Sequence, residues 1–227
     1  MKYPEHTSSR FDAELSTVCT SVFAMAAAVE QQFLLALDSL ATGDSMTITQ
    51  VLDAGPGVNA MEMEIDERCT EILVRRQPTA NDLRLVSAII KTINDLERIG
   101  DEAENIARMS KILAQKHPLL LPRQHQIKYV ADIALSLLKS SIAAFDAMDA
   151  EAARKVGHKD TLIDEEFRSI MRHLVAYMME DTSELSITLQ AVFVLKAIER
   201  IGDHAKNISE YVVYMIEGRT IRNFSAL

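Results

Sequence analysis

The sequence predicts an all-α protein made of two tandem three-helix bundles (six helices) related by internal duplication. Glycine and proline are scarce, with 7 and 5 among 227 residues, so the chain has few turn-forming residues. Apolar residues recur at steps of three and four, as in Val86, Ile89, Ile90 and Ile93, which is the period of an α-helix. A ten-residue motif occurs twice, which indicates that one structural unit has been repeated.

Breaker and capping residues place the helices in order. The predicted helices run over 8–42, 44–76, 79–116, 123–148, 149–180 and 183–217. Pro78 follows two arginines suited to a helix C-terminus, and Gly218 ends the last helix. Within the second helix, Gly55-Pro56-Gly57 predicts a break at 54–57, because an interior proline costs roughly 3 kcal/mol or more.

The clearest linker lies between Pro118 and Pro122, at the middle of the chain. It divides the sequence into a first three-helix bundle at 1–117 and a second at 122–227. Each half has the length of a small domain with a core of its own.

The charge balance argues against two classes of partner. With 24 basic and 33 acidic residues, the net charge of −9 disfavours direct binding of nucleic acid or of an anionic membrane surface. The N-terminus has no signal-peptide pattern, and the longest uncharged run, Leu15 to Val29, is 15 residues and too short to span a bilayer. Cys19 and Cys69 are isolated, as expected of buried thiols in a reducing compartment. We therefore expect a cytoplasmic protein, peripheral to membrane complexes at most.

The repeated motif concentrates acidic residues. Residues 97–106 read Glu-Arg-Ile-Gly-Asp-Glu-Ala-Glu-Asn-Ile, and residues 199–208 match them at eight of ten positions. In the second half, residues equidistant from the turn near 181–182 face each other across an antiparallel hairpin. This geometry places Asp164 opposite Glu199 and Asp160 opposite Asp203, so four carboxylates gather at one level.

The first half follows the same geometry with a weaker set. Reflection about Pro78 places Asn59 opposite Glu97 and Gly55 opposite Asp101. Either set of acids could be a solvated helix face or a partner for Arg98 and Arg200. Against this interpretation, clustered like charges repel, and a bound cation would relieve the repulsion. Oxygen ligands of this kind suit Mg²⁺, Mn²⁺, Ca²⁺ or Fe³⁺ better than Zn²⁺.

The sequence offers few signs of an enzyme. A di-metal oxidase built in a helical bundle is the enzymatic alternative, but such sites use Glu-x-x-His pairs, which this chain lacks. It also lacks a Gly-Lys-Ser/Thr phosphate loop, a Gly-x-Gly-x-x-Gly loop and a nucleophile elbow. We therefore predict no catalytic and no cofactor-binding residues. A metal-free tandem-bundle scaffold is the other alternative.

The duplicated Glu-Arg-Ile-Gly-Asp-x-x-x-Asn-Ile motif resembles the PhoU family, as do the segments 75–86 and 177–181. The resemblance implies a homodimer or larger assembly and metal sites at Glu97, Asp101, Asp160, Asp164, Glu199 and Asp203. Mg, Mn, Fe and Zn are the candidate metals. The family pattern has an acid where this chain has Gly55, beside Asn59.

The resemblance also implies a role and partners. PhoU-like proteins are negative regulators of the phosphate-starvation response and of phosphate uptake. They act as adaptors between the ATPase of the phosphate ABC transporter and the sensor histidine kinase of the phosphate regulon. We therefore expect function to lie in protein contacts rather than in turnover.

Overall fold

The computed structural model describes residues 9–116, 122–180 and 184–219, which form six α-helices. They are α1 (Ser9–Thr42), α2 (Ser45–Arg76), α3 (Ala80–Lys116), α4 (Gln124–Ala147), α5 (Ala150–Glu180) and α6 (Leu185–Glu217). Every predicted helix is present, and each boundary agrees within two residues. The predicted fold class is confirmed.

Equivalent helices of the two halves begin in the same way. The carboxylate of Asp44 accepts a hydrogen bond from the Thr47 amide at 2.8 Å, and that of Asp149 accepts one from the Ala152 amide at 2.9 Å. Each acid thus satisfies an amide that the first turn of a helix leaves without a partner. The duplication therefore extends to the caps of α2 and α5.

Helix ends follow the predicted breakers. Gln77 adopts a left-handed conformation with φ of 48° immediately before Pro78, and its amide donates to the Leu73 carbonyl. Gly218 ends α6 with φ of 70°, where its amide donates to the Tyr214 carbonyl. A left-handed C-cap conformation is disfavoured sterically for residues with a Cβ atom, and glycine avoids this cost.

The break predicted at 54–57 is wrong, because α2 continues as one helix through Pro56. Pro56 lies on the exposed face of the helix, whereas Val51 and Val58 lie buried on the inner face. Proline removes a single backbone hydrogen bond, and water can reach the carbonyl that loses its partner. Burial of the apolar residues before and after it offsets this cost, so the bundle keeps the helix intact.

The two halves are three-helix bundles that pack against each other. Helices α1, α2 and α3 contact one another, as do α4, α5 and α6. Long contacts between α3 and α6, with a smaller contact between α1 and α4, join the halves. Their buried residues form one connected cluster, so the halves share a core. The predicted linker falls largely on residues 117–121, outside the described residues, and the exact domain boundary stays a prediction.

Helix α1 is the one described helix that is long and apolar enough, by length and composition, to cross a membrane. Its apolar residues Val22, Met25, Val29 and Phe33 are fully buried, and the helix packs against α2, α3 and α4. A core helix of a water-soluble bundle has the same composition, so this feature is weak support for a span.

Candidate functional site

One face of the repeated motif builds the core. Ile99, Gly100, Ala103 and Ile106 are buried in α3. A Cβ at Gly100 would lie 3.0 Å from Oε1 of Gln32 and 3.5 Å from Cγ1 of Val58. Glycine at this position therefore lets α1 and α2 approach α3 closely. This packing offsets the cost of about 1 kcal/mol that glycine has relative to alanine in a helix interior.

A second face of the motif joins the two halves. Arg200 on α6 forms an ion pair of 2.8 Å with Glu102 on α3, whose side chain is almost fully buried. Asn105 donates a hydrogen bond to the same carboxylate at 3.2 Å. One of the two motif positions that differ between the copies holds Glu102 in the first half and His204 in the second, and both of these residues lie at the contact between α3 and α6.

A buried polar network lies beside this ion pair. Nδ1 of His204 is 2.6 Å from Oδ1 of Asp95, and Asn207 donates to the same oxygen at 3.3 Å. Burial raises the pKa of Tyr211, and the neighbouring charge of Asp95 raises it further. The sequence alone did not indicate Asp95, because this residue precedes the motif and its counterpart in the second half is Ala197.

A third face of the motif carries the acids. In the first half Glu97, Asp101 and Glu104 follow one another at the spacing of one helix face. Burial raises the pKa of Glu97, and the charges of Asp101 and of Glu62 on α2 raise it further. Burial and Asp101 also raise the pKa of Glu104, against the opposing effect of Arg108. Negative charge is therefore concentrated along the seam between α2 and α3.

The space beside Gly55 is filled by an acid of α3. An ideal Cβ at Gly55 would lie 1.6 Å from Oε1 of Glu104, so the Glu104 carboxylate occupies the space of the missing side chain. Glu104 lies one turn beyond Asp101, the residue predicted opposite Gly55. The corresponding residue of the second motif is Lys206. The first half thus carries on α3 a carboxylate that the second half carries on α5.

The acids of the second half have cationic neighbours. Lys196 donates to Glu199 while its ammonium lies 5.3 Å above the ring of Phe167. Arg168 is 3.7 Å from Asp164 on the same helix. Asp203 is exposed on α6. The Asp160 side chain lies outside the described part of the structure.

The six predicted metal ligands lie on three helices: Glu97 and Asp101 on α3, Asp160 and Asp164 on α5, and Glu199 and Asp203 on α6. Among the side chains described, no three His, Cys, Asp or Glu groups converge as metal ligands. The ligand set stays a prediction. In its favour, burial and the charges of Asp101 and Glu62 raise the pKa of Glu97, and a hard cation would relieve that repulsion.

Fold and motif together define a class: a duplicated three-helix-bundle protein with an acidic motif near the middle of α3 and of α6. The PhoU domain model matches residues 22–110 and 127–212, one match in each half. The chain belongs to the PhoU family.

Individual relatives agree over nearly the full length. The chain is 41% identical to the phosphate-specific transport system accessory protein PhoU homolog of Pseudomonas putida, covering 96% of this chain and 85% of the relative. It is 39% identical to the phosphate-specific transport system accessory protein PhoU of Escherichia coli K12, covering 96% and 90%. The crystal structure of PhoU from Pseudomonas aeruginosa matches with a TM-score of 0.89 and 40% identity, over 92% of this chain and 100% of that one.

Proposed function

We propose that this protein is an accessory protein of the phosphate-specific transport system and a negative regulator of the phosphate-starvation response and of phosphate uptake. The observation that carries the proposal is identity of 39–41% to accessory proteins of that system over 96% of the chain. The matched length of 96% of the chain takes in both acidic motifs.

In this role the protein is a cytoplasmic adaptor rather than an enzyme, and it forms a homodimer. Its partners are the ATPase of the phosphate ABC transporter and the sensor histidine kinase. Support comes from long helices that expose large apolar side chains, among them Met46, Met63 and Val74 on α2 and Phe193 on α6. Exposed apolar side chains on rigid helices are suited to contacts with the helices and domains of other proteins.

The acidic seams are the proposed metal sites. Asp160, Asp164, Glu199 and Asp203 would hold metal in the second half, and Glu97 and Asp101 in the first. A divalent or trivalent ion (Mg, Mn, Fe or Zn) would neutralise carboxylates that otherwise repel one another. The protein's own part is to hold these carboxylates on rigid helices and to supply Lys196 and Arg168 as countercharges when metal is absent.

Deletion of the gene in its own host tests the regulatory role. We expect phosphate-starvation genes to be expressed in phosphate-rich medium, and a second deletion that removes the sensor kinase to abolish this expression. Restoring the intact gene serves as the control. Normal repression in the single deletion strain would refute the regulatory proposal and favour the oxidase alternative.

A further inference from the structure

A cavity between α1 and α2 is lined by three arginines. It has a volume of about 380 Å³, and Arg10 on α1 and Arg68 and Arg75 on α2 lie around it. Small-molecule sites in proteins have volumes of about 300–1,000 Å³. The cavity therefore has the size of a ligand site. It is formed by α1 and α2, whereas the acidic seam of the first half lies between α2 and α3.

One wall of the cavity is a helix segment to which the second half has no counterpart among the described residues. Helices α1 and α4 align at an offset of 105, which matches buried residues such as Val22 and Ile127. The first residue of α4, Gln124, then corresponds to residue 19, so residues 9–18 of α1 extend beyond the duplicated unit. They also precede residue 22, where the first match to the PhoU domain begins. The cavity is thus a feature added to the repeated fold.

The arginines of α2 are also specific to the first half. At the same offset Arg68 and Arg75 correspond to His173 and Glu180. The helix dipole favours a cation in the last turn, as at Arg75, but this effect does not reach Arg68, two turns earlier. Arg68 forms an ion pair of 2.5 Å with Glu64 on the same helix. Neither the fold nor the dipole therefore requires two arginines beside the cavity.

A fourth arginine neutralises an acid of the cavity wall. Arg76 donates two hydrogen bonds to the Glu14 carboxylate, at 2.7 and 2.8 Å. The hydrogen bond from Arg76 lowers the pKa of Glu14, so this carboxylate stays ionised and bound to Arg76. Arg10 is left with a longer contact of 3.4 Å to the same carboxylate.

The arginines at the mouth of the cavity can bind a further acceptor. Arg75 contacts Glu71 at 3.4 Å, the same distance as the contact of Arg10 with Glu14. A guanidinium has five N–H donors, so one long contact leaves most of them for water or a ligand. Among the described ion pairs at the cavity, four arginines meet three glutamates. Positive charge is therefore in excess here, on a chain whose net charge is −9.

We propose that this cavity binds the phosphate group of an organic phosphate monoester, with the organic part of the molecule against Val18 and Ile72. A phosphate monoester carries a charge of about −1.5 to −2 at pH 7 and three acceptor oxygens, so it can bond to more than one guanidinium. A carboxylate has two oxygens, which a single guanidinium fork satisfies. Three arginines therefore suit a phosphate better than a carboxylate.

The apolar wall selects an ester over inorganic phosphate. Val18 and Ile72 line the cavity, and both belong to the buried core of the first half. Inorganic phosphate would use the arginines but leave this wall in contact with water. An ester places its apolar part there and removes that surface from water, which adds to its affinity.

Isothermal titration calorimetry of the full chain with phenyl phosphate tests the site. The buffer contains EDTA, so that metal at the acidic seams cannot carry the anion. We expect saturable binding of one molecule per chain. Inorganic phosphate and phenol, the two parts of the probe, should each bind about 10-fold more weakly or worse. Benzoate, which has the same ring on a carboxylate, should show a similar loss.

Removing two guanidiniums tests the anion contacts. Arg10→Gln/Arg75→Gln should weaken the binding of phenyl phosphate about 10-fold or more, because hydrogen bonds to a charged group are lost. The matched control, Arg168→Gln/Arg172→Gln, removes the same charge from exposed arginines of α5 and should leave the affinity unchanged. Unchanged far-ultraviolet circular dichroism and thermal melting show that both variants are folded.

Filling the cavity gives a second readout. Ala13 lines the cavity and is exposed, so Ala13→Leu should weaken binding about 10-fold while every charge stays in place. Ala27→Leu, at another exposed position of α1, is the control and should bind as the wild type does. Full affinity in both cavity variants, or no binding of phenyl phosphate to the wild type, would overturn the site. Inorganic phosphate that binds as tightly as the ester would overturn the ligand class. None of these outcomes depends on the phosphate-response test.

Discussion

Nδ1 of His204 and Oδ1 of Asp95 lie 2.6 Å apart, on helices from opposite halves of the chain, and both side chains are nearly buried. Since Asp95 also accepts a hydrogen bond from Asn207, one carboxylate holds two side chains of the second motif. The contact therefore fixes the register of α6 along α3.

Removing this carboxylate should destabilise the protein as a whole. We expect Asp95→Ala to lower the free energy of unfolding by about 2 kcal/mol, because it leaves buried polar groups of His204 and Asn207 without a partner. Asp38→Ala, at an exposed acid on α1, is the control and should stay within about 0.5 kcal/mol of wild type. Urea denaturation measures both, and equal values for the two variants would contradict the structural role of Asp95.

The space shared by Gly55 and Glu104 predicts coupling between them. Gly55→Ala should gain little stability in the wild type, because the new Cβ displaces the Glu104 carboxylate. In a Glu104→Ala background the same change should gain about 1 kcal/mol, the helix preference of alanine over glycine. Gly57→Ala is the matched control, since a Cβ there meets no atom within 4 Å. A double-mutant cycle in urea without coupling would refute the contact.

Metal content should depend most on the second half. We expect Glu199→Ala/Asp203→Ala to remove most of the bound metal, because α5 supplies Asp160 and Asp164 opposite these residues. Glu97→Ala/Asp101→Ala should remove less, because α2 offers Gly55 and Asn59 instead. Elemental analysis of protein purified without chelator or nickel measures both. Unchanged metal in the first variant would reject the assigned ligands.

The two cysteines should be unreactive in the folded protein. Both are buried, and burial raises the pKa of the Cys69 thiol to about 12. Because this value exceeds the unfolded value of 9.0, ionisation of the thiol favours the unfolded chain as the pH rises above 9.0. We expect no reaction with Ellman's reagent at pH 8 and two thiols per chain in 6 M guanidinium. Rapid labelling of the native protein would contradict the burial.

Much of the fold could be predicted from sequence because its signals are local. Asp44, Pro78 and Gly218 each act on the turn in which they lie, so their effects on helix ends are readable along the chain. Pro56 misled the prediction for the opposite reason. Its effect depends on which side of the helix faces water, and that is set by packing against other helices.

The site was predictable only where the duplication marked it. The repeat identified the motif and its acids, but one motif serves the core, the contact between halves and the outer acidic face. Residue type alone did not separate these roles: Glu102 is an acid of the motif, yet it pairs with Arg200 across the halves. Asp95 has no counterpart in the repeat, and how α3 docks on α6 is a property of three dimensions.

The antiparallel contact of α3 with α6 has an evolutionary consequence. Equivalent helices of two identical units meet in this way around a two-fold axis, so the two halves of this chain are arranged as the subunits of a symmetric dimer would be. Because both halves belong to one chain, neither half is held to the sequence symmetry that a homodimer imposes. Arg200 still pairs with Glu102, whereas His204, in the place of the second Glu102, has taken Asp95 instead. The two copies of the repeated segment have thereby become free to differ. The second half has an acid, Asp160, on its middle helix α5, whereas the first half has the corresponding carboxylate, that of Glu104, on its third helix α3.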